Sequence, residues 1–285
     1  MAGVDEIVFA VRRVNETDGH WYANIGYYCD DENKKAYPGN GKPDTSKLLK
    51  WNVRSGNLTV LLDAQGGSVR DPVVHYDANK ILFSYRKAGT DYYHLYEINT
   101  DGTNLRQITS GPHDDIEPTY LANGDIIFVS SRCKRWVNCW LTQVAVMHRC
   151  DADGANVRQI CFEQDHNFCP TVMNDGRVLY LRWEYTDIPH VWARFLFTMN
   201  PDGTDQKAYY GSGSYWPNTL FDTKPIPGKP SQFVSIVSGH HGVPRMGELL
   251  VFEPATGRRE AEPVVQRIPG NGKTVQPTIA DGLVE

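Results

Sequence analysis

The sequence predicts an all-β protein, a β-propeller built from four-stranded antiparallel blades, and three observations carry that expectation. First, a stretch of the chain recurs: Asn99-Thr-Asp-Gly-Thr-Asn-Leu-Arg-Gln-Ile108 returns as Asp151-Ala-Asp-Gly-Ala-Asn-Val-Arg-Gln-Ile160. Second, turn glycines at Gly56, Gly102, Gly154, Gly203 and Gly257 alternate with prolines at Pro72, Pro118, Pro170, Pro217 and Pro277. The spacing of about 46 to 60 residues is that of propeller blades. Third, short β-rich runs are separated by Asn-Gly and Asp-Gly turns, the strongest local hairpin signal.

Each unit then reads as four strands. Strand a follows the proline and ends at a turn such as Asn123-Gly124 or Asp175-Gly176. Strand b is Ile81–Tyr85, Ile126–Ser130 or Val178–Leu181, and strand c is Tyr93–Ile98, Val144–His148 or Phe195–Met199. A second Asp-Gly turn leads into strand d, for example Leu105–Ile108. Five blades are visible. The run Ile7–Arg13 aligns with a strand b that no strand a precedes, and Thr274–Glu285 reads as a strand a and its turn. Two closures are open: a five-bladed ring in which the last segment completes the first blade, or part of a six-bladed propeller. Residues 1–285 are expected to be one propeller domain, excised from a longer protein.

Composition narrows the function classes. The 285 residues are 40% apolar and 22% charged with a formal net charge of −5, which lacks the basic excess of a nucleic-acid binder. No apolar run approaches the roughly 18 residues of a membrane span, and the first residues do not read as a signal peptide. Five of the six cysteines fall between Cys133 and Cys169. The Cys133-x5-Cys139 spacing fits neither a zinc knuckle nor a haem-attachment motif, so disulfide, cofactor contact and free thiols all stay open.

The repeat Asp101-Gly-Thr-Asn-Leu-Arg-Gln-Ile-Thr109, followed by Pro118 and Gly124-Asp-Ile-Ile-Phe-Val-Ser-Ser-Arg132, resembles the TolB-type, WD40-like PD40 propeller repeat. Arg70-Asp-Pro72, Ile81–Lys87, Ser130–Cys133, Arg182–Tyr185, Met199–Thr204, Lys224–Gly228 and Ser238-Gly-His-His-Gly242 narrow the resemblance. They are similar to the middle propeller domain of hydrazine synthase alpha subunit-like proteins. That resemblance implies a bacterial cell-envelope or periplasmic setting and c-type haem in the family. This chain has no Cys-x-x-Cys-His, so no haem is covalently attached to it by that route, and Val243-Pro-Arg245 stands where relatives carry an aromatic residue.

In an up-and-down blade, the b–c and d–a loops share one face and the tight turns share the other. The unusual residues all fall on the first face, as expected of function-bearing loops on a rigid scaffold. The b–c loops hold Arg12, Arg13 and His20; Arg86 and Lys87; Arg132, Cys133 and Cys139; Arg182, Trp183, Glu184, Tyr185 and His190; and His240, His241 and Arg245. The d–a loops hold Arg70 and Asp71; His113, Asp114, Asp115 and Glu117; His166 and Cys169; and Tyr215 and Trp216. Arginines ending strand b fit either inter-blade bridges or an anion-binding ring. Trp183, Tyr185 and Trp216 fit either junction covers or ligand stacking. His113 and His166 read as equivalent positions, and with His240 and His241 they are candidate ligands for a divalent transition metal.

The function expected is a binding or scaffold domain with a ligand or metal site at the channel mouth on this loop face. Its partners would be other domains of the parent protein or a small anionic ligand. The competing readings are a metal-dependent lyase- or hydrolase-like enzyme domain using the rim His and Arg residues, and a haem-redox domain acting with a partner domain.

Overall fold

A computed structural model describes residues 3–11, 46–136, 143–184, 194–217, 219–238 and 247–270. It is a β-propeller, as the sequence predicts, with five blades among the described residues. Blade 1 contains β1 (Glu6–Val11), β2 (Lys47–Asn52) and β3 (Leu58–Asp63). Blade 2 contains β4 (Ser68–Val74), β5 (Lys80–Arg86), β6 (His94–Asn99) and β7 (Arg106–Gln107), and blade 3 contains β8 (Asp115–Tyr120), β9 (Ile126–Ser130), β10 (Val146–Cys150) and β11 (Arg158–Gln159). Blade 4 runs β12 (Asn167–Val172), β13 (Val178–Trp183), β14 (Arg194–Met199) and β15 (Lys207–Tyr210). Blade 5 runs β16 (Thr219–Pro225), β17 (Phe233–Ser238), β18 (Glu248–Phe252) and β19 (Val264–Ile268). Every pairing is antiparallel between sequence neighbours.

The innermost strands β4, β8, β12 and β16 pack against one another in turn, which places the axis along their shared side. Blade interiors are close-packed and apolar. Ile127, Val129, Leu179, Leu181, Leu196 and Leu250 are fully or almost fully buried in a cluster spanning blades 3 to 5. Two further clusters fill the junctions of blades 1 and 2 and of blades 2 and 3. Blade 1 turns Val8, Ala10, Leu48 and Leu62 towards blade 2. Its other face leaves Ile7, Val11, Trp51, Leu58 and Val60 exposed.

One detail of the strand reading is corrected. The prolines do not precede strand a; Pro72, Pro118 and Pro170 sit within it, because each inner strand begins three or four residues earlier. In blade 5 the marker is misplaced altogether. Pro217, behind a cis Trp216–Pro217 bond, lies before β16, and Asp222-Thr223 occupies the position of the other X-Pro pairs. The first residues of blade 1's b–c loop, the paired histidines and Thr274–Glu285 lie outside the described residues, as does the choice between closures.

Candidate functional site

All four inner strands break register at the same place: between Arg70 and Val73, Ile116 and Thr119, Phe168 and Thr171, and Phe221 and Lys224. The extra residue of each bulge has a left-handed backbone: Asp71 at φ 55°, Glu117 at 52°, Cys169 at 49° and Asp222 at 50°. Such a conformation is uncommon for side chains other than glycine and persists where surrounding structure over-determines it. Here the over-determination comes from sheet pairing on either side. The four bulges, with Pro72, Val73, Pro118, Pro170 and Lys224, line a cavity of about 170 Å³ on the axis.

Two of these bulges are stitched to their neighbours. The Glu117 amide donates to Asp71 Oδ2 at 3.2 Å, and the Cys169 amide donates to Glu117 Oε2 at 2.6 Å. The Ser84 hydroxyl also donates to Asp71 Oδ2, at 3.2 Å. Arg70 donates from Nε to Asp71 at 2.6 Å and from its terminal nitrogen to Glu117 Oε1 at 3.3 Å, with the Tyr93 ring 5.8 Å away. Arg70 is completely buried at a position where the next three blades carry Ile116, Phe168 and Phe221. It is there because two adjacent bulge carboxylates need a cation to enter a desolvated site. The third bulge carries a thiol where the first two carry carboxylates, and a thiol is a weaker acceptor. Asp222 and Lys224 are exposed at that end of the cavity.

A second polar cluster occupies the loop-face end of the junction between blades 2 and 3. Asp115, fully buried, accepts from the Ser130 hydroxyl at 2.6 Å and from Arg132 at 2.9 Å. His94 Nδ1 stands 3.7 Å and His113 Nε2 4.0 Å from the same carboxylate. Burial alone would raise the Asp115 pKa, but His94, Arg132 and Ser130 together hold it below the usual carboxylate value. Burial drives His113 the other way. Its pKa falls to about 4, with Arg132, Lys134 and His94 adding to the depression and only Asp115 opposing it.

These contacts redistribute the sequence-predicted site. His113 and His166 are not equivalent: His113 lies four residues before its bulge and His166 three before its own. The structural counterpart of His166 is Asp114. Asp114 Oδ1 accepts from the Tyr93 amide at 2.8 Å, and His166 Nδ1 accepts from the Ala145 amide at 3.1 Å. Both side chains pin the start of the preceding blade's third strand. The strand-b arginines are out of step too. Arg86 pairs with Ser68, Arg182 with Asn167, and Arg132 lies beyond the Ser130–Asp115 pair. These three described arginines therefore stand at different levels of their strands.

Arg86 is buried and donates to the Thr90 carbonyl at 3.3 Å. Arg182 pairs with Glu184, approaches Glu163 Oε1 at 3.5 Å and lies 5.0 Å over the Phe197 ring. Trp183, 1% exposed, stacks on His166 at 5.7 Å, and Trp216 is buried against Phe252. Cys133 donates to the Val144 carbonyl at 3.1 Å. Cys139, Tyr185, His240, His241 and Arg245 lie outside the described residues. Among the described residues no three His, Cys, Asp or Glu side chains come together as a metal site. The axial residues were visible as Asp-Pro, Glu-Pro and Cys-Pro pairs, yet sequence reasoning placed them in loops. Asp222 carried no proline and was missed.

No protein-family model matches the chain, and no curated protein does. Solved structures do. Hydrazine synthase from Kuenenia stuttgartiensis superposes with a TM-score of 0.71 at 18% identity, over 88% of this chain and 38% of that one. TolB from Acinetobacter baumannii gives 0.52 at 12% identity over 75% of this chain and 50% of its own. A Mycobacterium tuberculosis puromycin-hydrolyzing peptidase gives 0.51 at 10% identity, over 76% and 32%. The chain thus spans half or less of the length of these neighbours, and what it shares with them is the β-propeller fold.

Proposed function

We propose that this chain is a binding propeller that receives a protruding donor-bearing group, such as a lysine or arginine side chain of a partner domain, on its axis. The observation that carries this reading is the axial cavity walled by bulges from four blades. Its volume of about 170 Å³ is below the ~300–1,000 Å³ of small-molecule sites, so it suits an inserted group better than a whole substrate. Asp71 and Glu117 are already engaged by Arg70 and by backbone amides. Asp222 is left as the accessible carboxylate of the four bulges. The arrangement offers an acceptor and a rigid collar, which suits binding. The envelope setting rests on the likeness of the repeat to TolB-type propellers. The chain's described helical segments contain nothing long and apolar enough to cross a membrane.

Titration with N-acetyl-argininamide tests this. Saturable binding is expected, weakened about tenfold by Asp222→Asn, the effect of one charge-assisted hydrogen bond. Lys224→Ala is expected to tighten it by removing a like charge. No saturable binding, or the same affinity in Asp222→Asn, would overturn the reading.

A further inference from the structure

The junctions between blades follow one rule until the last. In blades 2, 3 and 4 the c–d connection is a tight turn, Asn99–Thr103, Asp151–Ala155 and Asn200–Thr204, each closed by a backbone bond from the amide of its first residue to the carbonyl of its last. Each such turn seats its glycine against the preceding blade's outer strand or the residue just after it: Gly102 on Leu61, Gly154 on Ile108 and Gly203 on Ile160. Blade 5 departs from this. Its c–d connection runs from Glu253 to Pro263 and carries Arg258-Arg259 where the others turn. The contact is not sealed there. A cavity of about 300 Å³ opens between the blades, lined by Tyr209, Tyr210, Ser212, Arg258 and Arg259.

The walls of this cavity are fixed. The Gly211 amide donates to the Arg258 carbonyl at 3.0 Å, and the Tyr210 hydroxyl donates to the Glu260 carbonyl at 2.5 Å. Glu260 accepts from the Tyr215 and Trp216 amides at 2.8 and 3.0 Å, while its own amide donates to the Ser214 hydroxyl at 3.0 Å. Tyr209 donates to the Ser231 carbonyl at 3.2 Å. Arg259 lies over Gly213, its Cζ 3.9 Å from where a Cβ would stand. Three acids flank the cavity. Glu260 is spent on backbone amides, Glu253 accepts from the Ala255 amide at 3.2 Å, and Glu262 lies against Gly257. Among the described residues no carboxylate pairs with the exposed Arg258 or Arg259, whereas Arg70, Arg132, Arg149, Arg177 and Arg182 each have one.

We propose that this cavity is an oxyanion site, in which Arg258 and Arg259 bind a phosphate, sulfate or carboxylate group of a ligand whose body lies against Tyr209. Two adjacent guanidiniums on a stapled loop present planar, paired donors, which is the geometry that recognises such groups. The position is the outer edge of the blade 4–blade 5 junction, so occupancy is independent of the axial cavity.

Isothermal titration with inorganic phosphate and, separately, with a short polyglutamate peptide distinguishes the oxyanion sources. At least one is expected to bind, about tenfold or more weaker in the Arg258→Ala/Arg259→Ala variant and unchanged in Arg54→Ala, an exposed arginine paired with Asp5. The lysine variant Arg258→Lys/Arg259→Lys is expected to retain part of the affinity. Because both side chains are exposed, the variants should melt with the wild type, and Asp222→Asn should bind the anion normally. Absence of binding of both probes, or equal affinity in the double alanine variant, would overturn the proposal.

Discussion

The junction between blades 2 and 3 and the junction between blades 4 and 5 are made from the same repeat and solve opposite problems. The first is sealed and charged inside: Arg70 bridges Asp71 and Glu117, and Glu97 gathers Lys80 at 2.9 Å, Tyr120 at 2.7 Å and Arg106 at 2.9 Å. Burial works against ionisation of Glu97, but those three donors hold its pKa below the usual value. The second is apolar inside, with Phe233 stacked on Phe252 at 4.9 Å, and open outside, where Arg258 and Arg259 stand. A repeat protein keeps its fold through the packing common to all blades. It acquires sites where one blade leaves the pattern.

The sharpest way to break the comparison is at Arg70. Arg70→Leu would suit the other junctions, where Ile116, Phe168 and Phe221 stand. Here it strands Asp71 and Glu117, so a loss of about 3–5 kcal/mol is expected by chemical denaturation. The triple variant Arg70→Leu/Asp71→Asn/Glu117→Gln should recover most of that. If Arg70→Leu alone is neutral, the buried charges are not what seals this junction.

Why this difference was only half legible in the sequence follows from particular residues. The repeated units, strand order and tight turns were readable because Asp-Gly and Asn-Gly dipeptides and β-rich runs are local signals. The bulge was not. Pro72, Pro118 and Pro170 mark it, but a proline after a turn-forming residue reads as a loop boundary, and in blade 5 Thr223 replaces the proline. Register is what sequence spacing cannot supply. A shift of one residue made His113 and His166 look alike, and the spacing left open whether the strand-b arginines bridge blades or form a ring. The Arg258-Arg259 pair was passed over because its meaning depends on Tyr209 and Gly213, some fifty residues away.

Acid sharpens the comparison at the sealed junction. The folded-state pKa of His113 is about 4, against 6.5 for the free side chain. A histidine depressed on folding binds its proton more readily when unfolded, so stability from this group is full above about 6.5 and declines as pH falls towards 4. Thermal melts of His113→Asn should show a shallower decline than wild type across that window. An unchanged profile would place the acid sensitivity elsewhere.

The two turn glycines give the finest contrast. At Gly154, φ is +91° and a Cβ would stand 2.0 Å from the Ile108 carbonyl oxygen, so Gly154→Ala meets both backbone strain and a clash with fixed backbone. The left-handed conformation alone costs about 1–2 kcal/mol, and forcing two blades apart adds to it. At Gly257 the backbone does not lie in the left-handed region, and the added Cβ meets the side chain of Glu262 within the same long connection. That loop can shift within blade 5 without separating blades, so Gly257→Ala is expected to cost less than Gly154→Ala, although the Glu262 Cβ 2.5 Å away must move. Urea titration of both variants reads the difference directly. Equal losses would mean that the blade 4–5 junction is sealed by its turn like the others, and that the space beside Arg258 and Arg259 is not set by the longer connection.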